Sequence, residues 1–271
     1  MTGCAHLYSH FRLPSAILKR LFRGDQGTEE SIISRNDSLW SEFVGLASAV
    51  AYLHESSHTA HRDIKPSNVL VYVDERTGAL DMKLTDFGLS IGLGDASTWQ
   101  EGSADQRSAL VYDAPEVRSI YLTSKEGKKQ LVPTPKQLLS YDVWKLGCVL
   151  TELSFFIVGG SEGVTRFRES IVTEHHNVVT DSFGDLRPTG PHFDDGERVK
   201  PQVLDSVQGL AQESHYVDQI QSILCAMLGE SSTRPTARVV AQDLDKVTVT
   251  PHPKFRHCRL VQMARIESTN S

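Results

Sequence analysis

Apolar residues recur along this chain in two rhythms, a helical one at spacings of three and four and a shorter strand-like one. Over residues 14–23, Ile17, Leu18, Leu21 and Phe22 fall on one stripe, which predicts a short amphipathic helix opening at Pro14. Residues 24–37 are polar and rich in Gly, Asp, Glu and Ser, the composition of a surface loop. Asp37 or Ser38 then caps a helix predicted to run to Glu55, with Leu39, Phe43, Leu46, Val50 and Leu53 at helical spacing. Residues 69–73 and 82–84 read as two strands joined through a turn at 75–78, and the polar, Gly/Ser-rich stretch 88–112 is expected to be mobile. Residues 141–156 are almost wholly apolar after Asp142, which predicts a buried helix. Excess Gly, Pro, Asp and His make 159–200 a long irregular insertion. Helices follow over 203–212, 216–228 and 235–247, and the basic tail from Thr248 is expected to be loose. No repeat or heptad pattern is present.

Composition narrows the function classes. With 271 residues, 39% hydrophobic and 23% charged, the chain has ample material for a hydrophobic core. A net charge of −6 offers no footprint for nucleic acid or an anionic membrane. Cys4, Cys148, Cys225 and Cys258 lie far apart, without zinc-site spacing, and read as thiols in a reducing compartment. No apolar run approaches the roughly 18 residues of a membrane span. His6, His10 and Arg12 interrupt the apolar residues of the N-terminus, which does not read as a signal peptide. The expectation is a soluble intracellular protein, cytoplasmic or nuclear, with neither nucleic acid nor membrane as partner.

The chemistry is concentrated in three strings. His61-Arg62-Asp63-Ile64-Lys65-Pro66-Ser67-Asn68 comes first, Asp86-Phe87-Gly88 follows, and Ala114-Pro115-Glu116 closes the series. Phosphoryl transfer needs a carboxylate beside the acceptor hydroxyl and Mg²⁺ to neutralise charge on the β- and γ-phosphates. Asp63 is placed for the first task. Lys65, two residues on, lies on the same side of an extended loop and reaches the γ-phosphate. Asn68 and Asp86 offer a neutral and an anionic oxygen, a set that suits a hard cation retaining several waters.

On these strings the chain resembles the eukaryotic protein kinase family over roughly residues 38–247. The resemblance implies a mainly α fold: the kinase large, C-terminal lobe, with a small β element carrying the catalytic loop and the Asp-Phe-Gly motif. Residues 1–37 would be an extension near the hinge, 38–247 the lobe with an insertion at about 159–200, and 248–271 a flexible basic tail. It implies ATP and Mg²⁺ as cofactors, with Asp63 and Lys65 catalytic, Lys65 and Leu70 on the nucleotide, and Asn68 and Asp86 on the metal. Lys65 at its position goes with the serine/threonine branch, so the partner is a protein substrate with Ser or Thr. Asp142 would hold the catalytic loop by its backbone, Arg234 would pair with Glu116, and His61 and Phe87 would pack within the core. Ser97, Thr98, Ser103 and Ser108 are candidate phosphorylation sites, with Arg62 as the cation for such a phosphate.

The sequence also departs from the family. No Gly-x-Gly-x-x-Gly precedes His61, since Gly3, Gly24 and Gly27 are scattered, and Lys19 sits beside Arg20 in the amphipathic stretch rather than on a strand. The small N-terminal lobe is therefore expected to be missing. A truncated or pseudokinase-like binding module and an incomplete gene model stand as alternatives to an active enzyme. The position that usually carries threonine ahead of Ala114-Pro115-Glu116 is Ala109, and losing its hydrogen bond is worth on the order of 1.5–3 kcal/mol. The face that would meet the small lobe, including the strand at 69–73, is expected to be uncovered, which predicts poor solubility or a protein partner there.

Overall fold

The computed structural model describes residues 16–24, 36–74, 79–94, 110–117, 133–172, 178–180, 186–188 and 192–247. It opens with β1 (Ala16–Ile17) and the single turn α1 (Leu18–Leu21). Leu18, Leu21 and Phe22 are buried, as their spacing predicts. The helix is shorter than expected because Ala16 and Ile17 pair antiparallel with Val71 and Leu70, and strand pairing overrides local helix propensity. Pro14 and residues 25–35 lie outside the described residues.

Helix α2 (Asn36–Glu55) buries Leu39, Phe43, Leu46 and Val50 along one stripe. After β2 (Thr59–Ala60), strands β3 (Val69–Val73) and β4 (Leu80–Leu84) form an antiparallel hairpin in a sheet ordered β1-β3-β4. The turn at 75–78 lies outside the described residues. Leu80 and Met82 point to the core while Asp81 and Lys83 are exposed, the period-two alternation of a half-buried strand. The strand at 69–73 is not the uncovered face expected of it. Val69 and Val71 are fully buried and Leu70, Tyr72 and Val73 half-buried, because β1 and β4 flank the strand and α1 lies against it.

As an outer strand, β4 leaves backbone groups for another element to satisfy. The Met82 N–H finds Glu42 of α2, donating to its Oε2 at 2.7 Å. Burial pushes the Glu42 carboxyl from 4.5 up to about 7; the Met82 bond opposes the rise and the Asp81 charge adds to it. The folded chain therefore keeps a proton that the unfolded chain releases. Stability from this group is fully present below about pH 4.5 and lost as pH rises through about 7. Glu42→Gln cannot ionise, so the gap between variant and parent should widen in the variant's favour by on the order of 2–3 kcal/mol from about pH 5 to about pH 8. Denaturant titrations at the two pH values check this; parallel pH dependence would contradict it.

The central element is α3 (Pro135–Ser170), opened by a reciprocal capping box between Thr134 and Gln137 with proline at the first position. It is long and apolar enough by length and composition to cross a membrane, yet 78% of its apolar window is buried inside the protein. The sequence suggests an irregular segment from Gly159, but the helix only kinks there, at Gly160 (φ 63, ψ −160). Val164, Phe167 and Ile171 bury beyond the kink and keep the chain helical to Ser170. Strands β6 (Val178–Thr180) and β7 (Leu186–Pro188) pair later in the same span, after the two-residue β5 (Ile91–Gly92) had paired with β2. Residues 192–200 then return to the core, with Phe193 and Lys200 buried.

Helices α4 (Pro201–Glu213), α5 (His215–Met227) and α6 (Ala237–Lys246) match the expected periodicity, with Ser214 and Thr236 capping the last two. Gly147 of α3 lies against α5: a Cβ there would stand 2.9 Å from Met227 Cβ and 3.2 Å from Leu228 Cδ2. Gly147→Ala should lower stability by about 1–3 kcal/mol through overpacking, read as a fall in midpoint temperature. Cys148 is buried and Cys225 half-buried, both as free thiols; Cys4 and Cys258 lie outside the described residues, as does the tail from 248.

Candidate active site

The hairpin register builds the site. Val69 pairs with Leu84, so Asn68 and Thr85 come opposite each other, and the Thr85 N–H donates to the Asn68 carbonyl at 3.0 Å. Asn68 and Asp86, 18 residues apart in sequence (86 − 68), thereby become neighbours at one end of the sheet. The loop entering β3 turns through a single 3₁₀ turn at Pro66–Asn68, after Arg62 adopts a left-handed φ of 69.

Asp142 holds that loop. Its carboxylate is fully buried and accepts from the His61 N–H and the Arg62 N–H, each at 2.7 Å, with His54 Nε2 at 2.9 Å. The Arg62 guanidinium donates to the Leu89 carbonyl at 3.2 Å, which ties the loop to the segment after Asp86. A non-glycine residue at positive φ is costly, and these bonds are what over-determine it.

Asp63 is buried and asymmetric. Its Oδ2 receives the Lys65 ammonium at 2.7 Å and the Asn68 Nδ2 at 2.8 Å, while the buried Oδ1 has no hydrogen-bond partner among the described residues. The Asn68 Nδ2 also donates to the Asp63 carbonyl at 2.9 Å. With both amide bonds spent on Asp63, the side-chain oxygen of Asn68 is the end left for a cation. Asp86 is exposed at φ 64, its Oδ1 accepting from the Gly88 N–H at 3.3 Å. A Cβ at Gly88 would sit 3.2 Å from that oxygen, so glycine keeps the carboxylate's surroundings open. A neutral oxygen, an anionic oxygen and open space fit Mg²⁺.

The structure thus brings Asp63, Lys65 and Asn68 into direct contact and sets Asp86 beside Asn68. Leu70 is half-buried on the sheet face opposite Val69 and Val71, across from Ile17. Phe87 does pack on His61, with ring centroids 4.8 Å apart, but it is 49% exposed rather than part of the core. Ser97, Thr98, Ser103, Ser108 and Ala109 lie outside the described residues.

The segment at 110–117 is anchored at three points. Arg234 donates to both Glu116 oxygens, at 2.7 and 3.4 Å, and its guanidinium lies 5.1 Å from the Trp144 ring. Sequence reasoning finds that pair but misses two others. Lys145, fully buried, donates to Asp113 Oδ1 at 2.8 Å, and the Tyr141 hydroxyl donates to the same oxygen. Glu152, also fully buried, accepts from the Tyr112 hydroxyl at 2.8 Å and from Arg168 Nε at 2.7 Å. Burial, and next the Glu152 charge, raise the Tyr112 phenol well above its ordinary value, so it remains a donor. A lysine and a glutamate inside an apolar helix are the signal that such partners exist, because unpaired buried charge is prohibitive.

The protein kinase domain family matches residues 18–243. The chain is similar to mitogen-activated protein kinase 15 of Caenorhabditis elegans, 28% identical over 152 residues that cover 54% of this chain and 27% of that protein. It is 37% identical over 108 residues to serine/threonine-protein kinase CHK1 of Saccharomyces cerevisiae, covering 40% of this chain and 17% of the relative. With the dual specificity mitogen-activated protein kinase kinase hemipterous of Drosophila melanogaster it shares 38% identity over 113 residues, 41% of this chain and 8% of that one. The chain therefore spans under a third of the length of each of these relatives.

Proposed function

The chain belongs to the protein kinase family, and from that premise we propose that it carries the acceptor and metal side of a serine/threonine kinase active site. The reaction is transfer of the γ-phosphoryl group of ATP to a Ser or Thr hydroxyl of a protein. The observation that carries this reading is the asymmetry of Asp63. One oxygen is fixed by Lys65 and Asn68, and the other is buried and without a partner among the described residues. A hydroxyl donating to that free oxygen is oriented for attack, and its proton passes to the carboxylate as the new P–O bond forms and ADP departs. Lys65 supplies positive charge where the γ-phosphate would lie and keeps Asp63 from rotating. Asn68 and Asp86 would hold Mg²⁺, which when bound neutralises charge on the phosphates. Leu70 supports an apolar floor for the adenine, and residues 38–247 would correspond to the larger, helical lobe.

No Gly-x-Gly-x-x-Gly precedes His61 in this sequence, so ATP held by these 271 residues alone would be gripped from one side and transfer should be weak. The test is titration calorimetry of ATP with and without Mg²⁺, beside a radiolabel transfer assay on Ser/Thr peptides. Affinity that needs Mg²⁺ and falls in Asp86→Asn is expected. Binding indifferent to both would sink the reading and favour a protein-docking module.

A further inference from the structure

α1 lies directly against the Pro66–Asn68 turn that follows Lys65. Phe22, just after α1, packs on Phe156 of α3 at 5.6 Å between centroids, and the Arg168 guanidinium stands 5.8 Å from its ring. α1 is thus wedged between the catalytic loop and the far end of α3. The side chains at this place are basic: Lys19, half-buried, and Arg20, exposed, on α1 itself, and Arg23, exposed, just after it; of the two arginines it is Arg23 whose charge acts on Lys19.

The charges here do not cancel. Lys65 is closed onto Asp63 and Arg168 onto Glu152, but no carboxylate among the described residues pairs with Lys19 or Arg23. Burial lowers the Lys19 pKa, and the Arg23, Lys65 and Arg168 cations lower it further. The group therefore sits in a positive field that an incoming anion would relieve. Four cations against two carboxylates make this edge positive on a chain whose net charge is −6.

Resting on the reading above, we propose that Lys19 and Arg23 form an acid-reading edge beside Asp63, so that the segment offered for phosphorylation carries Asp or Glu near its Ser or Thr. The two cations act on the substrate through charge alone. They steer acidic segments toward Asp63 and repel basic ones, an effect that added salt should weaken.

Binding can be measured without turnover, by fluorescence anisotropy of labelled Ser peptides with the 271-residue chain at low salt. A Glu-flanked peptide should bind roughly tenfold tighter than its Lys-flanked counterpart. The preference should vanish in Lys19→Gln/Arg23→Gln and reverse in Lys19→Glu/Arg23→Glu. Equal affinity for the two peptides overturns the proposal, as does a preference that survives both variants. Variants that weaken Mg-ATP binding while leaving the peptide preference intact also overturn it, by assigning the cations to the nucleotide. A chain that reads acidic peptides yet binds ATP indifferently to Mg²⁺ and to Asp86→Asn upholds this inference and defeats the kinase reading. ATP affinity that needs Mg²⁺ and Asp86, without an acidic preference, does the opposite.

Discussion

Asp63→Asn is expected to lower phosphoryl transfer by roughly 10²–10⁴-fold while leaving nucleotide affinity within about threefold of the parent. The size of the effect follows from which way the new amide must face. Its oxygen has to stay toward the Lys65 ammonium and the Asn68 amide nitrogen, because both are donors held at 2.7 and 2.8 Å. That orientation turns the new nitrogen to the Oδ1 position, where the parent offers a bare acceptor. The acceptor hydroxyl would then meet a donor and find no base. The shape of the side chain is unchanged, so the fold should hold. Single-turnover phosphate transfer beside nucleotide titration separates the two effects, and a rate within threefold of the parent would remove Asp63 from the chemistry.

The largest effect on stability should come from Asp142→Ala. One fully buried carboxylate satisfies the His61 and Arg62 amides and the His54 ring, and alanine strands all three. Unsatisfied buried groups cost about 1–3 kcal/mol each, and breaking a buried charged contact typically costs about 3–5 kcal/mol. At about 2–4 °C per kcal/mol for a chain of this size, the midpoint should fall by on the order of 10 °C. Asp142→Asn keeps one acceptor oxygen and should lie between the two. A thermal melt of the three proteins checks the order. A melting point for Asp142→Ala within about 2 °C of the parent would mean that the loop is held by something else.

Much of the site was legible because its parts are short and local. The run from His61 to Asn68 is contiguous, and the Val69 to Val73 strand signal already brings Asp86 back beside it through a hairpin. Asp142 and the Glu116–Arg234 pair were legible only through family resemblance, since nothing local marks a partner 81 or 118 residues away. Asp113 and Lys145 show what remains when neither cue operates, because each is unremarkable alone and their contact exists only once α3 is packed. Ala16–Ile17 and Gly159-Gly160 misled for opposite reasons. A sheet edge captured residues whose pattern was helical, and buried apolar residues carried a helix past a glycine pair that reads as its end. Phe87 is apolar, but burial is decided by what covers a side chain rather than by the side chain itself.

Helix α3 carries Asp142, Lys145 and Glu152 within three turns; the first fastens the loop at 61–68, and the other two fasten neighbouring residues of one other stretch, Asp113 and Tyr112. The loop at 61–68 on one side and the Tyr112–Asp113 stretch on the other are therefore referenced to one rod. When thermal motion shifts the rod against the rest of the protein, both sides travel with it and their separation is preserved. The misalignment that matters for reaction is motion of one side relative to the other, and a shared mount rejects the common part of the noise.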